Sequence, residues 1–301
     1  MHIGNLRTAL AAWLAARSSG GRIVLRIEDL DTPRVRPGSE KSIVDDFRWL
    51  GLDWDEGPDE GGHAGPYRQS ERQAHYRDAI ERLRSAGLAY ACECSRAEVA
   101  SSAPHGIDGA PVYPGTCRAK SSDLVIERAV LRGRNAAWRF RLPGGAMEWT
   151  DSVYGPRSET SSSVAGDMVI ARSDGIYAYQ LAVVVDDAAM GITDVWRGAD
   201  LLDSTGRQIH LHRALGHEPP RFGHVPLVLR EVDGRKLSKR DRPPAVEDVR
   251  LGGLAPERLT AILARSLGLE SPEQARPADL IPCWNAQKIV RESGTVDTGP
   301  D

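Results

Sequence analysis

The sequence predicts an α/β protein built on a doubly wound parallel sheet, with a small α+β insert and helices near its C-terminal end. The opening stretch is the first observation. Leu6, Leu10, Trp13 and Leu14 recur at helical spacing, Gly20-Gly21 follows, and the apolar Ile23-Val24-Leu25 then runs into Glu28, Asp29 and Asp31. The second is a later set of short apolar runs, Ala182–Val185, Ile192–Trp196 and Val225–Leu229, which read as strands, the first of them covered on both faces. The third is a change of character between them: from Ala89 the chain becomes rich in cysteine, glycine, proline and serine, as an insert with little core of its own would.

Each element follows from local chemistry. The first helix, Asn5–Arg17, is alanine-rich and ends where glycine accepts a left-handed conformation. Its first amides lack internal acceptors and carry partial positive charge, so its start suits a phosphate. Gly4 lets a ligand approach the backbone, and His2 and Asn5 can donate to phosphate or ribose oxygens. A signal peptide would share Arg7 and the apolar Thr8–Ala16, but a strand and an acidic cluster follow at once. Pro37-Gly38-Ser39 turns the chain into a helix over Glu40–Leu50, capped by Ser39, with Ile43, Phe47 and Leu50 on one face; Gly51 ends it. An acidic, glycine-rich loop spans 53–65, and G-P-Y-R-Q-S-E-R at 65–72 enters a helix ending near Ala86, with Ser70 as cap and no chemistry assigned.

Cys92 and Cys94 are two apart and Cys117 follows across a loop. Three thiolates need a fourth donor to close a tetrahedral zinc site, and His105 is the chemically ordinary one; three free buried thiols are the alternative. Strands are expected at Ala137–Leu142 and Asp167–Ala171, with Arg139 and Arg141 on a solvated face. Tyr179 precedes the strand Ala182–Val185, which ends in Asp186-Asp187, and Ile192–Trp196 ends in Arg197-Gly198-Ala199-Asp200. A helix over Ser204–Gly216 turns Ile209, Leu211 and Leu215 inward. After Val225–Leu229 comes a basic loop in which Lys236 and Lys239, with Ser238 between them, can close over a triphosphate as mobile charges; a solvated hairpin tip is the alternative. Helices run from Val246 to Trp284, chiefly Pro256–Leu267; Cys283 is expected to pack and the tail after Ala286 to fray.

Bulk properties exclude some functions. At 301 residues, 41% hydrophobic and 27% charged, the chain can bury a substantial core as one or two soluble globular domains. No apolar run is long enough to span a bilayer, and a cytoplasmic location is expected. A net charge of −3 gives no overall basic signal, so an RNA partner would use a local basic face. Four cysteines, three of them clustered, suit a metal site in a reducing compartment better than a disulfide framework.

H-I-G-N at 2–5, R-I-E-D-L-D-T-P-R at 26–34 and K-L-S-K-R at 236–240 occur in an order that resembles the class I aminoacyl-tRNA synthetases of the glutamyl type. Length and the cysteine cluster narrow the resemblance, over residues 1–285, to the glutamyl-Q tRNA(Asp) synthetases. The resemblance implies a Rossmann-like catalytic domain in two halves, 1–88 and 176–245, an inserted zinc and acceptor-binding-like subdomain over 89–175, a helical region over 246–285 and a flexible tail over 286–301. It also implies a strand and an R-x-A-P-S-P-T-G loop ahead of the histidine, whose arginine and serine hold the amino acid. This chain starts at Met1-His2, which leaves a start called too late, a truncation or an impaired protein as the explanations. No anticodon-reading domain follows, which argues against a full glutamyl-tRNA synthetase.

By the same resemblance the activity is ATP-dependent conversion of L-glutamate to glutamyl-adenylate and transfer to the queuosine base of tRNA(Asp). The protein would be a monomer, with Mg²⁺ accompanying ATP and a structural Zn²⁺. His2 and Lys239 would be catalytic, and His2, Gly4, Asn5, Lys236, Ser238 and Lys239 would bind ATP. Glu28 would take the substrate ammonium, Tyr179 would hydrogen-bond the substrate, and Arg197 would lie beside its carboxylates. A bidentate Arg197 suits glutamate over glutamine, whose amide presents donors to donors. Otherwise Tyr179 is a rim tyrosine, and Arg197 an ion-pair partner of Asp186 or Asp187. Members of the family use a tyrosine at the place of Tyr113, which completes the metal set as Cys92, Cys94, Tyr113 and Cys117, against His105 on general zinc chemistry. Two other functions stay open: the same core charging the 3′ end of tRNA(Glu), and a non-catalytic nucleotide- or tRNA-binding relic lacking the first strand.

Overall fold

Helix α1 (Ile3–Ser18) buries its stripe of Leu6, Leu10 and Leu14 completely. The stripe meets Leu50 at the end of α2 (Ser39–Leu50), Leu259 and Leu263 of α9 (Pro256–Ser266), Leu267 and Leu280. The computed structural model describes residues 1–31, 35–102, 112–160, 166–228 and 245–296. Lys236, Ser238, Lys239 and His105 lie outside these. Gly51 closes α2 at φ 87°, as its position suggested, but the residue that opens α2 is the left-handed Gly38, so Ser39 is inside the helix rather than its cap. Arg7, only 2% exposed, crosses this core. It donates to Ser266 Oγ (2.8 Å), Ser266 O (2.7 Å) and Pro226 O (2.6 Å), tying α1 to the end of α9 and to the chain after the last strand. All three acceptors are neutral, and burial lowers its pKa to about 10.

The second core lies between α3 (Gln73–Ser85), α6 (Tyr179–Ala189) and α7 (Thr205–Ala214), against a three-stranded antiparallel sheet. That sheet runs in the order β1 (Ala89–Cys92), β2 (Ala137–Phe140), β5 (Val169–Ala171). Two short helices, α4 (Arg96–Ser102) and α5 (Ser122–Leu131), flank the cysteine region. Helix α6 corrects an expectation: Ala182–Val185 is helical, not a strand. A run of four apolar residues buried on every side carries no period, so the alternation that separates strand from helix is absent. The consequence is functional, because a helix sets Tyr179 and Asp186 two turns apart on one face.

The second sheet has the order β4-β3-β7-β6, with a hairpin of β3 (Ala146–Asp151) and β4 (Gly155–Thr160) beside β7 (Arg221–Val225) and β6 (Asp194–Gly198). Strands β6 and β7 are parallel, as are β3 and β7. Residues 23–27 extend the parallel pairing through bridges of Val24 to Glu56 and Ile27 to Arg68. The last strand ends at Val225 rather than beginning there, because Pro226 has no N–H for the ladder. The segment 286–296, expected to fray, is docked: Val290 N bonds Leu267 O at 3.0 Å and Gly294 bridges Val228. Cys283, expected to pack, is exposed. Among the described residues no helix is long and apolar enough to cross a membrane.

Candidate active site

The mouth of α1 is framed by its own entry and by both flanks of the segment 229–244. His2 is the residue before the first turn, and its carbonyl accepts from Asn5 N at 3.0 Å. A Cβ at Gly4 would stand 3.2 Å from the His2 ring, which would have to give way slightly, and in ordinary contact with Val228 Cβ at 3.7 Å, so glycine keeps this turn uncrowded. His2 forms a β-bridge with Ala245, and Val246 N bonds Met1 O at 2.9 Å. Val228 and Ala245, one on each side of the lysine-bearing segment, therefore both abut the turn that holds His2, Gly4 and Asn5.

The acids after the first apolar run separate by the alternation of extended chain. Asp29 turns to Ser70, accepting its N–H (2.8 Å) and hydroxyl (2.6 Å), and Asp31 pairs with Arg172 at 3.2 Å. Glu28 faces the other way, beside Arg26 at 3.1 Å. Arg26 also reaches Asp187 at 2.7 Å and Asp186 at 3.8 Å, on the next helix face. Burial opposes its charge, but Asp187, Glu28 and Asp186 outweigh that and raise its pKa. Desolvation pushes the Glu28 and Asp187 carboxyls upward, with Arg26 pulling both back.

Tyr179, the first residue of α6, is 38% exposed and stands close enough to Glu28 and Arg197 to feel both charges. Desolvation and Glu28 push its phenol up to about 12, so it stays a donor. Arg197, near the end of β6, is 9% exposed. It is not paired with Asp186 or Asp187. Its bonds go to His224 Nε2 (3.0 Å), Gln208 Oε1 (2.6 Å), Thr205 Oγ1 (2.9 Å) and Leu201 O (3.3 Å), and among the described residues no carboxylate lies at ion-pair distance. Burial lowers its pKa. Asp186 is instead held by Arg72 (2.6 Å), Gln69 (2.8 Å) and Tyr76 (2.9 Å).

Several of these residues escaped the sequence reading. Gln69 and Arg72 belong to the helix entry to which no chemistry was assigned, yet they anchor the helix that carries Tyr179. Arg26 sits two residues before Glu28, and period-two alternation alone would have put both on one face. His224, Asp151, Gln208 and Thr205 carry no local signal.

The cysteines form a separate centre. Cys92, Cys94 and Cys117 bring their sulfurs within 4.8 Å of one another. Cys94 and Cys117 are 3.7 Å apart, and the Tyr113 hydroxyl lies 3.4 Å from Cys92 and 4.0 Å from Cys94. Sulfurs at ~2.3 Å from a tetrahedral zinc would be roughly 3.8 Å apart, so the donor set fits the ion. Arg139 is buried, not solvated: it stacks 3.6 Å from the centre of the Tyr113 ring and donates to Cys92 Sγ at 3.3 Å. Burial would raise the Cys92 thiol, but Tyr113 and Arg139 outweigh it and lower its pKa; Cys94 is pushed up to about 12 by burial and by Cys92.

Parallel strands, a helix start suited to an anion, and acids beside a buried arginine are the parts an α/β enzyme uses to bind a nucleotide and a charged substrate. The chain belongs to the tRNA synthetases class I (E and Q), whose catalytic-domain family matches residues 1–279. Among individual proteins it is 50% identical over 296 residues to a glutamyl-Q tRNA(Asp) synthetase of Symbiobacterium thermophilum, covering 97% of this chain and 91% of that one. It is 39% identical to glutamate–tRNA ligase 2 of Syntrophus aciditrophicus but spans 61% of that protein. The crystal structure of a glutamate tRNA ligase from Elizabethkingia meningosepticum in complex with its amino acid superposes with a TM-score of 0.84 at 27% identity, over 99% of this chain and 65% of that one.

Proposed function

We propose that this protein activates L-glutamate with ATP and passes the glutamyl group to the queuosine base of tRNA(Asp). One observation carries the choice of amino acid: Arg197 is buried with neutral hydrogen-bond partners, while Glu28 and Asp187 pair with Arg26 near Tyr179. A buried cation with no carboxylate at ion-pair distance among the described residues favours an anionic side chain, and nearby acids favour an ammonium. Glu28 would take the ammonium, Tyr179 would donate to the substrate, and Arg197 would take the side-chain carboxylate.

In the first step a carboxylate oxygen of glutamate bonds to the α-phosphorus of ATP, and the bond to pyrophosphate breaks with its electron pair leaving on pyrophosphate. In the second a hydroxyl of the acceptor attacks the acyl carbon and AMP leaves. The protein's work is alignment and charge neutralisation. His2, Gly4 and Asn5 would cradle the phosphates at the α1 mouth, and Lys236, Ser238 and Lys239 belong to the segment whose flanks abut it. Mg²⁺ bound with ATP would neutralise phosphate charge. Cys92, Cys94, Tyr113 and Cys117 would hold a structural zinc that pins a subdomain with a small core. The queuosine acceptor rests on likeness to proteins that bear that name.

The test is pyrophosphate exchange followed by transfer. Exchange is expected with L-glutamate and not with L-glutamine, and labelled glutamate is expected on tRNA(Asp) that carries queuosine but not on tRNA(Asp) lacking it. Label on tRNA(Glu) instead would favour the ligase reading suggested by the likeness to glutamate–tRNA ligase 2. Absence of both exchange and glutamate binding would overturn the proposal.

A further inference from the structure

Arg197 is gripped by residues that no motif marks, and the grip has a second layer. Its Nε–H donates to His224 Nε2 at 3.0 Å, and Asp151 Oδ2 lies 2.6 Å from the other ring nitrogen, Nδ1. The contact is built into the sheet, because Arg197 and His224 are direct partners in the β6–β7 register and Asp151 ends β3 on the far side of β7. The side chains of Asp151 and His224 are wholly buried. The rings of Trp149 and Phe222 flank the imidazole at 5.9 and 6.2 Å. Asp151 Oδ1 is pinned by the backbone N–H groups of Val153 and Tyr154, both at 2.9 Å.

These contacts admit one tautomer. A carboxylate only accepts and a guanidinium only donates, so Nδ1 carries the hydrogen toward Asp151 and Nε2 is the bare acceptor for Arg197. A protonated ring would set Nε2–H against Nε–H and charge against charge.

We propose that Asp151 and His224 are positioning residues for glutamate selection: the pair holds the imidazole neutral, so that it anchors Arg197 through Nε without cancelling the charge that the substrate's side-chain carboxylate needs. The inference rests on the proposed role of Arg197. A carboxylate in place of the imidazole would hold the guanidinium equally well and satisfy it internally, leaving little to gain from an anionic substrate. The hydrogen-bond partners of Arg197 among the described residues are neutral: His224, Gln208, Thr205, the Leu201 carbonyl and the Tyr179 phenol. Asp151 supplies its negative charge one residue removed, where it stabilises the neighbourhood without occupying the guanidinium.

Titration calorimetry of L-glutamate and of ATP on the full chain tests this, with H224N, H224Q, D151N and R197A beside the unaltered protein. Asparagine at 224 reaches only the Nδ1 position and loses Arg197, whereas glutamine reaches the Nε2 position and keeps an acceptor for it. H224N is expected to weaken glutamate by about tenfold or more and ATP by less than about twofold. H224Q is expected to stay within about threefold of the unaltered protein for both. In D151N the amide oxygen stays on the two backbone N–H groups, so its NH₂ faces Nδ1 and drives His224 to the Nε2–H form. Nitrogen NMR of labelled histidine reads that switch directly, and glutamate should weaken as in H224N. Equal glutamate affinities in H224N and H224Q, or unaltered affinity in H224N and D151N while R197A loses it, would overturn the positioning role and leave the reading of Arg197 intact. If R197A binds glutamate like the unaltered protein, or the unaltered protein does not bind it, the reading of Arg197 falls and this inference with it. Should D151N not fold, the H224N and H224Q comparison decides alone.

Discussion

Replacing Arg72 by methionine keeps most of the buried stem and deletes one cation, which makes it a clean probe of the scaffold under the pocket. Arg72 and Asp186 have side chains 1% and 0% exposed and meet at 2.6 Å. Breaking a buried pair from one side costs about 3–5 kcal/mol, since the remaining charge is uncompensated. Here Asp186 would keep Gln69 and Tyr76 as donors and Arg26 at 3.8 Å. The loss for R72M should therefore be near the lower end, about 3 kcal/mol. D186L should cost at least as much, because the arginine would retain only the Pro66 carbonyl at 3.0 Å. The double variant buries no charge at this point and strands only two neutral donors, at roughly 1–3 kcal/mol each. With each stranded donor at about 2 kcal/mol, its loss should fall short of the summed single losses by about 2 kcal/mol. Equilibrium urea unfolding of the four proteins measures all three quantities. Additive losses, or an R72M loss below about 1 kcal/mol, would refute the view that this ion pair carries the helix of Tyr179.

Two further outcomes are expected. Elemental analysis of the purified protein should find about one zinc per chain. Y113F should then surrender it to a chelator faster than H105A does; full retention in Y113F with loss in H105A would move the fourth ligand to His105. His212 is 1% exposed, and burial lowers its pKa from 6.5 to about 4. The unfolded chain therefore takes up this proton first as pH falls. The stability it confers is complete above pH 6.5 and declines toward pH 4, by about 3 kcal/mol in the limit. His224 is shifted in the same direction, by burial first, and adds to the acid sensitivity. H212Q should flatten the fall in urea midpoint between pH 7.5 and 4.5; an unchanged slope would assign acid lability elsewhere.

What could be read locally was read well where local chemistry decides. The stripe of α1, the stop at Gly51, the spacing of Cys92 and Cys94, and the turn holding His2, Gly4 and Asn5 depend on neighbours a few residues away. Ala182–Val185 failed because its helix is buried on all sides and shows no period. Arg139 failed because a charged residue on a strand reads as solvated until its partners, here Tyr113 and Cys92, are known. The tail over 286–296 failed because its order comes from bonds to Leu267 and Leu227, not from its own polar composition.

By itself the sequence determined the class of protein, helices such as α1 and α2, and the candidates for ligand-binding groups, because those patterns depend on neighbours a few residues away. Only the tertiary structure decided who holds those groups. His224 and Asp151 are 73 residues apart, and Arg72 and Asp186 are 114 apart. Their meeting is set by strand register and helix packing, and a buried charge finds its partner only after the chain has excluded water from around both.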